Sequence, residues 1–179
     1  ATALGRPIER LVLAGEGRDL LGAPQIAATL DGRVGGKPAA GRLTLARSGA
    51  SDWRLDPLDV TVGSVSAKGG LTLSGGLAEG ALTIAAGDLA DVAPLILTPA
   101  SGDFSGEAKL SRADGKQAAA LKATARALRL GEMRIERLAA DLAATGLPDR
   151  PRLSGTLSAD RVEAAGEAAT GLRLVAQPS

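Results

Sequence analysis

Apolar and polar residues alternate with period two in short runs along most of the chain. Leu43 and Leu45 fall on one face of such a run, with Arg42 and Thr44 on the other. Leu58, Val60 and Val62 alternate with Asp59 and Thr61, Leu71 and Leu73 flank Thr72, and Leu82 and Ile84 flank Thr83. Further on, Leu128 and Leu130 flank Arg129, Leu153 and Leu157 share a parity, and Leu172 and Leu174 flank Arg173. Alternation of this kind is the signature of strands with one face turned from water. A slip of one residue would invert every face, so a buried side must set the register.

Glycine pairs and Asp-Gly steps punctuate the runs: Asp31-Gly32, Gly35-Gly36, Gly69-Gly70, Gly75-Gly76 and Asp114-Gly115. Each is expected to be a tight hairpin turn, because these residues supply positive φ at little cost. Gaps this short join antiparallel neighbours, so the chain reads as a meander. Around Pro57 the apolar parity changes, from Trp53 and Leu55 to Leu58, Val60 and Val62, which predicts a bulge or kink. The Ala-rich stretch from Lys116 to Arg129 has helical propensity, but Leu121, Ala123, Ala125 and Ala127 alternate with Lys122, Thr124 and Arg126, which predicts a strand.

Residues 88–97 break the pattern. Leu89, Val92, Ala93 and Ile96 have helical spacing, Asp88 can serve as N-cap, Asp91 suits the positive end of the helix dipole, and Pro94 keeps the helix short. A weak internal repeat is also present: residues 8–32 match 135–159 at an offset of 127, with 8 identities in 25 ungapped positions. Ile8-Glu9-Arg10-Leu11 recurs as Ile135-Glu136-Arg137-Leu138, while Leu20, Pro24, Thr29 and Leu30 match Leu147, Pro151, Thr156 and Leu157. Repetition of this sort points to a structure growing in one dimension. Residues 1–179 therefore read as one continuous all-β segment, an internal piece of something longer since the chain starts with Ala1.

Composition narrows the chemistry. Hydrophobic residues make up 45% of the chain but aromatics only 1%, Trp53 and Phe104 being the whole set. Burial must come from Leu on an Ala background, which suits a thin extended layer. The net charge is +1 and dispersed, so no nucleic-acid surface is expected. His and Cys are both absent, which removes the usual triads, thiolate chemistry, disulfides and most zinc sites. The pairs Asp88/Asp91 and Asp56/Asp59 read as a helix cap and a solvated strand face, the glycine stretches lack phosphate-loop spacing, and Asp31, Asp52, Asp56 and Asp59 lack calcium-loop spacing. No catalytic, cofactor or metal site is expected, and the chain is read as a non-enzyme.

What remains is the aliphatic stripe. One reading is a sheet face packed into a sandwich core; another is an inner face left open as a groove for acyl chains. Candidate lining residues for the groove are Leu43, Leu45, Leu58, Val60, Val62, Leu71, Leu73, Leu82, Ile84, Leu128, Leu130, Leu153, Leu157, Leu172 and Leu174. Burial of about 0.8 kcal/mol per CH₂ lets Leu and Ala hold such chains without stereospecific contacts.

The succession from Leu58 through Gly69-Gly70-Leu71-Thr72-Leu73, then Gly76 to Ile84 and Gly87-Asp88-Leu89-Ala90-Asp91-Val92-Ala93-Pro94-Leu95, resembles the TamB family (translocation and assembly module B) of Gram-negative envelopes, which belongs with AsmA-like and other bridge-like lipid transfer proteins. Residues 130–138 and 151–157 share its style. The resemblance implies an elongated antiparallel sheet curled into an open hydrophobic groove, a β-taco, with one short helix. It implies periplasmic location as part of an inner-membrane-anchored protein, phospholipid acyl chains as cargo passing to the outer membrane, and a parent protein that pairs with an outer-membrane barrel of the Omp85 type. The alternatives are a chaperone surface for outer-membrane protein and autotransporter assembly, in which open edges accept strands, and a purely structural β-solenoid.

Overall fold

A computed structural model of the chain describes all residues except 1, 4, 5, 8–10, 20, 21, 50, 149, 178 and 179. The strands are β1 (Thr2–Ala3), β2 (Arg6–Pro7), β3 (Leu11–Arg18), β4 (Gln25–Val34), β5 (Lys37–Arg47), β6 (Trp53–Val62), β7 (Val65–Ser74) and β8 (Leu77–Ala86). A 3-10 turn (Leu89–Asp91) and the single helical turn α1 (Ala93–Ile96) follow. Then come β9 (Ala100–Ala113), β10 (Lys116–Leu130), β11 (Met133–Leu147), β12 (Arg152–Ala164) and β13 (Glu167–Ala176).

β1 pairs only with β2, while β3 to β13 form one sheet of 11 strands in chain order, every pair antiparallel. The sheet does not close, so β3 and β13 are its two edges. The all-β meander expected from the alternation is therefore the fold, and the Ala-rich 116–130 stretch is β10. Propensity yields there because both neighbours supply a ladder for its backbone and a common face for its apolar side chains.

Two-residue turns sit at Gly35-Gly36, Gly75-Gly76 and Asp114-Gly115 as expected, and at Gly63-Ser64, Gly131-Glu132 and Ala165-Gly166 besides. Two expected turns are corrected. Asp31-Gly32 lies inside β4, and Gly69-Gly70 lies inside β7. Gly69 marks close backbone approach: a Cβ there would stand 2.1 Å from the Ala81 carbonyl oxygen, and its φ is +152. Side chains are excluded at that point by the neighbouring strand.

The bulge expected at Pro57 is present. Asp56 and Pro57 face one residue on either side, Thr44 on β5 and Gly70 on β7, between the pairs Leu43↔Leu58 and Leu45↔Leu55 and between Leu55↔Leu71 and Leu58↔Gly69. The parity change thus keeps Leu55 and Leu58 on one face. A second bulge lies between β9 and β10, where Ala127 and Leu128 oppose Gly102. Where β8 and β9 diverge past Gly80↔Leu110, the Gln117 amide takes over. It accepts from Ala78 N at 2.7 Å and donates to the carbonyls of Ala78, Ser111 and Ala118 at 2.9–3.0 Å.

The described part of the repeat falls in the β3–β4 and β11–β12 hairpins. Ile8, Glu9, Arg10 and Leu20 lie outside the described residues, but the β3–β4 and β11–β12 hairpins can be compared. Leu13 pairs with Leu30 and Gly17 with Ile26; at an offset of 127, Ala140 pairs with Leu157 and Ala144 with Leu153. Both hairpins keep one register.

Candidate functional site

Because neighbouring strands pair residue to residue on either side of the bulges, side chains on one face line up in rows at right angles to the strands. One row runs Leu13, Leu30, Gly41, Val60, Ala67, Ile84 and continues through Gly106, Ala123, Ala140, Leu157 and Leu174. A parallel row two residues along carries Ala28, Leu43, Leu58, Gly69, Leu82 and Ala108, then Leu121, Leu142, Gly155 and Ala176. On either side of these lie two more. One passes through Ala39, Val62, Val65, Ala86, Phe104, Ala125, Leu138, Ala159 and Leu172. The other passes through Ile26, Leu45, Leu55, Leu71, Gly80, Leu110, Ala119, Ala144 and Leu153. None of the four contains a polar side chain.

The opposite face is charged. Arg42, Asp59 and Lys68 stand side by side on β5, β6 and β7, with Asp59 3.7 Å from Arg42 and 3.6 Å from Lys68. Lys122 reaches Asp141 at 3.3 Å, and Arg137 pairs with Asp160. Cross-strand pairs of this kind add modestly to sheet stability and hold the register that keeps the other face apolar.

Among the described residues no second layer packs on the apolar face across its length. Among the described residues the buried apolar set is mostly alanine; the larger members are Val34, Val62 and Leu128. Ile84, Leu121 and Leu73 in the body of the sheet remain 41%, 40% and 40% exposed. A sandwich core would bury leucines of this kind, so the closed-core reading is overturned and the face is an open trough.

One end is covered. The expected short helix forms as the 3-10 turn and α1, with the Asp88 side chain capping Ala90 N at 2.9 Å and Pro94 in the first turn of α1. Val92 packs on Val34, Ala39 and Val62, which are 1%, 2% and 5% exposed. Asp88 N donates to Ser64 Oγ at 2.9 Å, and Gly102 N donates to Asp88 Oδ1 at 3.1 Å. Asp91 does more than favour a helix end: Ser64 N donates to its Oδ2 at 2.7 Å and the Lys37 ammonium lies 3.5 Å from its Oδ1. Burial pushes the Asp91 carboxyl upward, but the hydrogen bonds from Ser64 and the Lys37 charge outweigh it and hold the group below its ordinary value. A cleft of about 410 Å³ runs beneath the segment, between Pro94, Ala100 and Arg129. At the opposite end, the Arg47 guanidinium lies over half-buried Trp53, 5.8 Å from the ring centre, and its Nε donates to Gly49 O at 2.8 Å.

Of the residues singled out from the sequence, Leu43, Leu45, Leu58, Val60, Val62, Leu71, Leu82, Ile84, Leu153, Leu157, Leu172 and Leu174 fall in the four rows. Leu73 lies one step beyond, beside Trp53. Leu128 and Leu130 lie past the second bulge, Leu130 opposite Ala100. Among those missing from that set were Leu138 and Leu142, each followed by two alanines, so the alternation shows little contrast there. Among the described residues no cluster of acidic side chains could hold a metal ion, and no helix is long and apolar enough to cross a membrane.

No family model, no curated protein and no solved structure matches this chain.

Proposed function

We propose that this chain is part of a bridge-like envelope protein whose aliphatic trough holds phospholipid acyl chains as they pass between inner and outer membranes, in support of outer-membrane biogenesis. On this reading the segment works in the periplasm within an inner-membrane-anchored parent that meets an outer-membrane barrel. The observation that carries it is the set of four apolar rows over which, among the described residues, no second layer packs beyond the end held by Val92. An open face of this size is rare on a monomer and marks a surface for an apolar partner. The face presents carbon alone, so the role proposed is that of a carrier surface and not of a catalyst. At roughly 0.8 kcal/mol per methylene withdrawn from water, a few contacts suffice to hold a chain.

A photoactivatable side chain at Ile84 tests the proposal against one at Thr83, its neighbour on the charged face. Incubated with phospholipid vesicles and irradiated, the Ile84 variant should acquire lipid and the Thr83 variant should not. Equal labelling, or none, rules the proposal out. A second reading, a chaperone surface for outer-membrane proteins, draws support from the two free edges at β3 and β13. It expects crosslinks from edge residues to a client polypeptide.

A further inference from the structure

Among the described residues β3 is an edge of the sheet, and its charged side chains, Glu16 and Arg18, lie toward one end of it. Edge strands open to solvent commonly bear a lysine, a proline or a bulge that discourages pairing. β3 has no lysine or proline, and it pairs with β4 without a shift. Val12 and Leu13, which alternate to opposite faces, are 45% and 72% exposed. Among the described residues no neighbouring strand pairs with the outer edge of β3.

The internal repeat shows what such a neighbour looks like. Moving the β3–β4 pairs along by 127 residues yields β11–β12 pairs: Gly15↔Ala28 becomes Leu142↔Gly155, and Leu13↔Leu30 becomes Ala140↔Leu157. The second edge of β11 is occupied by β10, with Leu121 opposite Leu142, Lys122 opposite Asp141 and Ala123 opposite Ala140. The other edge strand allows no such transfer, because Leu30↔Gly41 on β4–β5 would translate to Leu157↔Ala168, whereas Leu157 pairs with Leu174.

We infer that the free edge of β3 is the docking site for an antiparallel β-strand of the β10 pattern. That strand carries small or aliphatic side chains at every second position, polar ones between, and no proline in the paired stretch. By the 127-residue equivalence its counterparts of Leu121, Lys122 and Ala123 stand opposite Gly15, Ala14 and Leu13. The bare Gly15 leaves room for the leucine, and the incoming aliphatic side chains extend the four rows by one strand. The backbone N–H and C=O groups of β3 that face away from β4 supply the hydrogen bonds. The inference rests on strand pairing and on the repeat, and it stands whether or not the trough carries lipid.

The native chain has no cysteine, so a thiol pair can report the register. The full chain carrying Ala14→Cys is mixed, under oxidising conditions, with a synthetic peptide of residues 116–130 carrying Lys122→Cys. Peptides with Leu121→Cys or Ala123→Cys place the thiol on the other face of the strand. The expected result is a one-to-one adduct that forms at least ten-fold faster with the Lys122→Cys peptide than with either control. Should Ala14→Cys fail to fold by circular dichroism, Val12→Cys with a Thr124→Cys peptide tests the same register. Equal rates for all three peptides, no adduct, or an equal yield when the chain's thiol is at Val175→Cys on β13 overturns the inference.

Discussion

Ser64 N donates to Asp91 Oδ2 at 2.7 Å, joining the β6–β7 turn to the 3-10 segment across 27 residues of sequence. Asp91 is 10% exposed at its side chain and also faces Lys37, so its loss leaves a backbone donor unpaired beneath the segment. Asp91→Ala is expected to lower unfolding stability by about 1–3 kcal/mol, read from urea denaturation. Hydrogen exchange should quicken at Ala90 and Val92 before it does in the sheet.

The same carboxylate has a pH signature. Its pKa in the folded chain is lowered from the ordinary 3.8. Its contribution is therefore fully present above that value and is lost as pH falls through the lower folded one. The urea midpoint should drop below about pH 4 in the native chain, and the drop should be smaller in Asp91→Asn. Identical acid profiles for the two proteins would contradict the assignment.

Charge substitution separates covered from uncovered parts of the apolar face. Leu73 is 40% exposed and Val62 is 5% exposed under Val92. Leu73→Asp can keep its carboxylate in water and is expected to cost about 1–2 kcal/mol. Val62→Asp buries a charge without a partner and should cost about 3–5 kcal/mol or prevent folding. Thermal melts of the two variants check the ordering.

At Gly69 the expected effect is steric. Gly69→Ala forces a Cβ to within 2.1 Å of the Ala81 carbonyl oxygen, and a loss of about 2–4 kcal/mol follows from displaced backbone. Gly75→Ala meets nothing within 4 Å, although its φ is +58, and should cost about 1 kcal/mol. Denaturant midpoints that fall equally for both would argue against close β7–β8 approach at Gly69.

Asp59 serves two cations, yet it lies on the solvated face with its side chain 30% exposed. Asp59→Asn is expected to cost less than about 1 kcal/mol, and the difference from the native chain should shrink as salt is raised.

How far these features could be read from sequence differed by residue. Pro57 announced its bulge, because leucines and valines on either side have opposite parity. The bulge at Ala127 and Leu128 obeys the same rule, with Ala125 giving way to Leu128, but alanine at both parities hid the switch. Gly69-Gly70 looked like a turn since glycine permits turns, whereas here it permits contact between strands, a distinction that needs the neighbour in view. The Asp88 cap was local and legible; the Ser64–Asp91 bond depends on two turns meeting in space and was not. Alternation told which side chains share a face. It could not tell what covers them, and only the exposure of Ile84, Leu121 and Leu73 decided that.

The rows that cross the strands have a mechanical consequence. Successive side chains along a row lie about 4.8 Å apart, so eleven strands give an apolar track of roughly 50 Å. At every step a hydrocarbon resting on it meets a methyl, a ring or bare backbone, and no fixed donor or acceptor marks a preferred station. Displacement by one strand exchanges dispersion contacts for others of similar strength. The corrugation of such a surface is shallow, and motion along it meets little friction compared with departure into water.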